Sequence, residues 1–580
     1  MGQLTAFEEK VLNDVNADEL WGTTAHLSEI ERVSGMEGEY QAVDWIAGKL
    51  KEYGIPCEVL EFDAYLSFPI RASLRVQAPV EKEIRAKTRA FGASTPSAGL
   101  EGELVFVPSK VAGIGFQALD NQYEGHDVRG KIVLSPRGGP DGVYDAMKAG
   151  AVAHIHYWPS GEDAIHEMIA TTVWGAPTPE SAERIPNIPS ISINNESGVT
   201  LRDLCAKGPV RVRLTAQTET RWCREKLPVA TIPGTVEPDQ FFLVGGHLDS
   251  WYVGTTDNAT GNAAMLELAR VLNLHKSGLR RSVKVAWWVG HSYGRYAGST
   301  WFCDNFFGDL RKNCVGYMDI DSPGVKDATI YDEITCMAEN WGLASAAIRD
   351  VAGAEATRER PPRAGDYSFY GPGLPSMFML MGNQPKEARF SVGGSGLGWW
   401  WHTEYDTLEH ADAGVLAQDT RIYALAILRV IQGAILPYQH APVADELIEA
   451  LRDIDKEVAG RFDLRPVFDA LADLKSAALA ADAALPKISG DKAALVNREI
   501  LKVVRTLIPI NYTRCGEFDH DPAMFHPVFP LMDDARRLAN LAPESNDYRF
   551  LLTRLVRSRN RVLHYLETAT EALQKIAAAA

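Results

Sequence analysis

The chain has 580 residues, enough for two to four domains that each bury a core. Hydrophobic residues make up 46% and charged residues 23%, an ordinary globular balance, and the formal net charge is -17. That charge argues against a nucleic-acid or anionic-membrane partner, since a phosphate surface requires a basic counterpart.

The start, MGQLTAFEEKVLNDVNADELW, is acidic and amphipathic, without the basic and apolar regions of a secretory signal. No stretch approaches about 18 uninterrupted apolar residues, so no membrane span is expected. The seven cysteines are scattered without a CxxC pair and read as reduced thiols of a cytoplasmic protein.

In EGEYQAVDWIAGKLKEYG, Tyr40, Val43, Ile46 and Leu50 share one helical face, Gly54 stops the helix, and IPCEVLEF follows as a strand. From 65 to 220 short β-like runs alternate with Gly and Pro around one strand-helix-strand unit, GKIVLSPRGG, DGVYDAMKAGA and VAHIHYW. From 221 to 440 apolar strands (FFLVGG, VKVAWWVG, VGYMDI, LPSMFML) alternate with helices, beginning with DNATGNAAMLELARVLNL. This predicts an α/β domain with a mostly parallel sheet and ligands at its strand carboxyl ends. From 441 to 580 the pattern is helical, broken by the loop NYTRCGEFDHDPAMFHPVFP, and the closing alanines are expected to fray.

Four stretches put a metal-capable side chain at a strand end: VGGHLDSW (His247, Asp249), TTDNATG (Asp257), YMDIDSPG (Asp319, Asp321) and GWWWHTEYDT (His402). Singly, each has a plain reading as a buried histidine, a helix cap or a turn former. Together, in this order on an α/β framework, they point to a metal site.

These motifs resemble the zinc aminopeptidases and glutamate carboxypeptidases. DVRGKIVLSPRG, AMKAGAVAHIHY and IPSISINNESG are similar to the protease-associated domain of the branch that includes the transferrin receptor. The resemblance implies an N-terminal part of the peptidase-like domain at 1–64, a β-rich protease-associated domain at 65–220, a three-layer catalytic domain at 221–440 and a helical dimerisation domain at 441–580, hence a homodimer. It assigns His247 and Asp321 to one metal, Asp257 to a bridge and His402 to the second metal. Asp249 would accept the other N–H of His247, and Asp406 would cap the helix after His402.

The chain departs from the family in WWVGHSYGRYAGS. Where the family carries a Glu-Glu pair, one a base and one a ligand, the chain has His291 and Ser292, and the turn is one residue longer. An imidazole is a chemically reasonable base, so His291 is the expected catalytic residue, with its role as base or ligand left open. One or two divalent ions are expected, zinc first, with manganese or iron as alternatives. The expected activity is hydrolysis of an amide or related C–N bond in a small or peptide-like substrate, through a metal-activated water. A receptor-like protein without activity, and a lyase or cyclase on the same fold, are the alternatives.

Further candidates are Arg295 on the unusual turn, Asp366 in RAGDYSF, Trp401 as a pocket wall, and Tyr512 and Arg514 in the helical part. Arg363 reads as a further guanidinium for a carboxylate, whereas Arg358 and Arg360 read as solvated loop charge.

Overall fold

The structure, a computed structural model, describes residues 4–109, 122–390, 393–488 and 490–580; the Met1–Gly2 start lies outside them. Among these residues no helix is long and apolar enough to cross a membrane.

The helix Glu37–Glu52 buries Val43, Ile46 and Leu50, while Tyr40 sits at its edge and donates its hydroxyl to the Arg224 carbonyl. Gly54 ends the segment with a left-handed φ of 68°. The next strand does not stop where the sequence suggests: it runs 22 residues from Cys57 to Ala78. Its antiparallel partner, Val210–Ile232, has 23 residues, and the pair runs through residues 65 and 220 without a break. One strand therefore serves two cores. Phe62, Ala64, Leu66 and Phe68 pack into the main core, whereas Leu74 and Val76 join a second core with Ile132, Leu134, Ile155 and Ile191.

The described residues form a 12-stranded sheet. On one side of the long pair lie Arg281–Trp288, Glu237–His247, Cys314–Asp319 and Ser376–Met377, parallel to one another. On the other side lie Leu100–Phe106, Ile132–Ser135, Ala153–Tyr157 and Ser190–Ile193, again mutually parallel. The predicted strand LPSMFML shrinks to Ser376–Met377 because Phe378 turns to a φ of 69°. The predicted helix after FFLVGG also starts late. Thr260–Leu274 is helical, but Asp257 sits ahead of it at φ -130°, ψ 73°.

Past Gln432 the chain is a helical bundle of Ala441–Val458, Arg465–Ala484, Ala493–Tyr512 and Asn546–Ala578. The closing alanines extend the last helix instead of fraying, since Ala572, Leu573 and Ile576 are buried on its inner face.

Candidate metal centre

The metal-capable side chains converge at the carboxyl ends of neighbouring parallel strands, with Trp288 beside His247 and Asp319 beside Gly245 in the register. The glycine before His247 has a steric cause: a Cβ on Gly246 would lie 2.2 Å from the Ile320 carbonyl oxygen. His247 Nδ1 donates to the Asp249 carbonyl at 2.8 Å. Its Nε2 therefore faces Asp257 Oδ1 at 3.0 Å and Asp321 Oδ1 at 3.6 Å. The candidate ligand atoms of these three residues all lie within 4.8 Å of one another.

His402 Nδ1 donates to the Glu167 carbonyl at 2.9 Å, which leaves Nε2 at 3.2 Å from Asp257 Oδ2. Asp257 thus meets one imidazole on each oxygen. Asp406 holds it there: Oδ2 accepts the Asp257 N–H at 3.0 Å, and Oδ1 accepts the Thr256 N–H and hydroxyl at 2.9 and 2.7 Å. This corrects the reading of Asp406 as a cap of a later helix, a role that Asp412 fills.

Electrostatics show what the cluster is built to balance. Burial pushes the His247 imidazole down, but hydrogen bonds to Asp257 and Asp321 carry it well above its ordinary range. Burial raises Asp257, and the bonds to His247 and His402 pull it well below the usual carboxylate value. Asp406 is pushed up to about 7, chiefly by burial. The His247 imidazole and the Asp257 carboxylate thus each favour the other's charged form, a balance that a divalent cation supplies when such ligands deprotonate. Two imidazoles with their Nε2 atoms turned inward, plus two carboxylates, make a donor set that fits zinc.

Beside this cluster, Gly290 turns the chain with a φ of 70° into the short helix His291–Gly294. Asp249 Oδ1 and Oδ2 accept the His291 and Ser292 N–H groups at 3.1 and 2.7 Å, and the Ser34 hydroxyl also donates to Oδ2. The carboxylate expected to orient His247 is instead 3.9 Å from Nδ1. The reason is that the unsatisfied N–H groups of the new helix are the stronger claim on an anion, while the Asp249 carbonyl serves His247.

His291 Nδ1 lies 2.9 Å from Asp366 Oδ2, and the carboxylate also accepts the Ser299 hydroxyl at 2.6 Å. The Asp366 N–H donates to Asp319 Oδ2 at 3.0 Å. The His291 ring stacks on His247 with centroids 4.1 Å apart and planes at 18°. His291 opens, with Asp257, Asp321 and His402, on a cavity that Trp251, Ser292, Arg295, Tyr296 and Trp401 also line.

Residues 229–427 match Peptidase family M28. "Probable glutamate carboxypeptidase VP8" of Zea mays is 22% identical over 526 residues, covering 77% of this chain and 71% of the relative. "Aminopeptidase NAALADL1" of Mus musculus is 36% identical over 129 residues, 22% of this chain and 17% of that protein. Residues 229–427 thus form a Peptidase family M28 segment, and the longer chain is similar to zinc aminopeptidases and glutamate carboxypeptidases. Solved members share its fold. A peptidase M28 precursor from Shewanella amazonensis superposes with a TM-score of 0.60 at 19% identity, over 74% of this chain and 97% of that one. A zinc aminopeptidase from Bacillus subtilis gives 0.54 at 19%, over 71% and 94%.

Positions 291 and 292, where the resemblance leads one to expect a carboxylate pair, hold His291 and Ser292, and Ser292 brings no carboxylate to the side of His402. Of the three consecutive tryptophans only Trp401 lines the cavity, stacked on His402 at 3.7 Å. Trp400 is buried behind it, donating to the Thr256 hydroxyl at 3.1 Å.

Other candidates lie elsewhere. Tyr512 is buried at the end of its helix against Tyr370 and under the Arg360 guanidinium, and Arg514 pairs with Asp534 at 2.7 Å, so packing within this chain claims both. Arg358 and Arg360 are not solvated loop charges: both pair with Glu446, at 3.3 and 3.2 Å. Arg363 is buried on the face of Trp174 and donates to the Asp521 and Tyr367 carbonyls. Two participants had no sequence signal, the Glu167 carbonyl and His166, whose ring lies 5.1 Å from that of His402, whereas Asp319, picked out with Asp321 as metal-capable, instead fixes Asp366.

Proposed function

We propose that the chain hydrolyses an amide or related C–N bond in a small peptide-like substrate, with His291 as the base in place of the family's glutamate. The observation that carries this is the Asp366–His291 pair at the edge of the metal centre. A carboxylate only accepts here, so Asp366 fixes the His291 proton on Nδ1 and leaves the Nε2 lone pair free. His291 is also outside the set of His247, Asp257 and Asp321 whose ligand atoms cluster, which favours base over ligand.

His247, Asp257 and Asp321 would hold one divalent ion, zinc by donor type, and Asp257 with His402 a second, weaker one. Such an ion supplies Lewis acidity, polarising the substrate carbonyl and acidifying a water. His291 Nε2 takes the proton from the attacking water, and Asp366 stabilises the imidazolium that results. The same Nε2 then returns the proton to the departing nitrogen. Asp249 keeps the helix start in place, so the imidazole needs no reorganisation during this cycle. Trp251 and Trp401 wall the cavity and restrict water.

All seven cysteines are free thiols, which supports a cytoplasmic setting. The half-exposed Leu479 and Leu495 on bundle helices support a homodimer formed through the helical part. Metal content and turnover of a panel of N-acyl amino acids and dipeptides, measured for the wild type and His291→Ala, test the reading. Loss of turnover with metal retained is expected. Unchanged turnover would sink it, and loss of metal would make His291 a ligand instead.

A further inference from the structure

Arg295 is a buried cation that no carboxylate neutralises. It is 5% exposed and lines the same cavity as His291, Asp257 and His402. Its Nε makes no hydrogen bond, and among the described residues the guanidinium has no ion-pair partner; its nearest aromatic contact is the Tyr296 ring at 4.9 Å. The backbone is turned to place it there. Arg295 and the following Tyr296 both adopt left-handed φ, 51° and 68°, on the turn that is one residue longer than the family's. Two consecutive non-glycine residues in that region are sterically disfavoured.

A second guanidinium stands behind it. Arg89 is fully buried, donates only through Nη2 to the Gly138 and Ile169 carbonyls, and leaves Nε and Nη1 without partners. Ile169 is itself part of the cavity wall. Burial and then the charge of Arg295 lower Arg89 to about 9, so the two cations feel each other. Behind this wall His154 and His156 are buried with both ring nitrogens unpaired, and burial followed by the charge of Arg89 pushes both below the ordinary imidazole range. The region therefore has two guanidinium groups without a direct ion pair, offset only at longer range by Asp141 and Glu167, together with neutral imidazoles and spare donors. Elsewhere the buried arginines are satisfied: Arg137 meets Asp141 and Asp145, Arg281 meets Glu237, and Arg32, Arg363 and Arg505 donate to backbone carbonyls. An unpaired guanidinium held in a low-dielectric wall is costly unless an anion arrives, and its planar fork matches a carboxylate.

We propose that Arg295, backed by Arg89, forms a subsite beside the metal centre for a carboxylate carried by the substrate. The inference deepens the hydrolase reading and rests on it for the identity of the ligand as substrate. It makes Arg295 a specificity determinant, positioned to accept molecules with a free acid group near the scissile bond and to disfavour their neutral counterparts.

The test uses two probes that contain no scissile amide, 4-phenylbutanoate and 4-phenylbutanol, titrated by calorimetry into the purified full-length protein at matched metal content. The wild type is expected to bind the carboxylate at least tenfold more tightly than the alcohol. Arg295→Met should reduce that preference to within twofold while alcohol binding stays unchanged. Equal binding of the two probes by the wild type overturns the proposal, and so does a preference that survives Arg295→Met, since the carboxylate then sits on the metal. Replacing an unpaired buried cation with an apolar side chain should not lower the melting temperature, and a marked loss would instead show a structural role for Arg295. If that variant fails to fold, Arg295→Lys serves the same titration: at least threefold weaker carboxylate binding is expected, and an unchanged affinity overturns the subsite. Absence of amide turnover with the preference intact would count against the hydrolase reading alone.

Discussion

Glu39 and Glu225 lie buried together under Gly290, the residue that leads into His291. Glu39 Oε1 accepts the Gly290 N–H at 3.3 Å, and a Cβ on Gly290 would sit 3.3 Å from Glu225 Oε1. Among the described residues neither carboxyl has a cationic partner. Burial, then the charge of Glu225, holds Glu39 well above the carboxylate range. Burial, with the charge of Asp249 adding to it, raises Glu225 to about 8 beside the Glu39 carboxyl. A carboxyl raised in the folded state binds more protons folded than unfolded between its two pKa values. Its contribution to stability therefore falls as pH rises from about 4.5 to about 8, then levels off. At roughly 1.4 kcal/mol per pH unit, the interval from 4.5 to 7 corresponds to an upper bound of roughly 3.5 kcal/mol. Glutamine keeps the shape and a donor to Glu39 but does not titrate. Glu225→Gln should thus stabilise the protein by roughly 2–3 kcal/mol at pH 8 and by less than about 1 kcal/mol at pH 5. Guanidinium unfolding followed by tryptophan fluorescence at the two pH values measures this. An equal shift at both, or a lower midpoint at pH 8, would refute the reasoning.

Three further outcomes are expected. Asp366→Asn removes a charge-assisted hydrogen bond of about 1.5–3 kcal/mol, so kcat/KM should fall roughly 10- to 100-fold with metal content unchanged; a drop below threefold would remove Asp366 from the proton-handling pair. Asp257→Asn and Asp321→Asn should each lose bound metal by elemental analysis, whereas Ser292→Ala should keep it, and metal loss in the serine variant would make Ser292 a ligand. Arg32 donates to the Leu27, Ile30, Leu248, Val253 and Gly254 carbonyls, spanning the loop between His247 and Asp257. Arg32→Met orphans these acceptors and should cost roughly 3–5 kcal/mol, read as a lower unfolding midpoint.

The metal ligands were legible because each belongs to a short contiguous motif at a strand end, where strand, glycine and ligand must follow one another in sequence. The roles of Asp249 and Asp406 were not legible. Both were expected near their neighbours in the chain, and both carboxylates turned instead to backbone N–H groups of distant segments, at Ser292 and at Asp257. The Glu167 carbonyl that orients His402 comes from 235 residues away, and a backbone carbonyl leaves no mark in composition or spacing. The long strands Cys57–Ala78 and Val210–Ile232 escaped for a related reason, since alternation within one strand looks the same whichever core it faces.

By itself, then, the sequence determined the alternation of strands and helices, the candidate ligand residues and the placing of His291 and Ser292 at a strand end. These are local properties, set by period, turn chemistry and residue type. Tertiary structure alone decided that His291 is oriented by Asp366 and that Asp249 holds the start of its helix. It also decided that Arg295 is buried without a counter-charge. Each depends on which hydrogen-bonding or charged groups from separate segments meet in a low-dielectric interior, and that pairing exists only once the chain has packed.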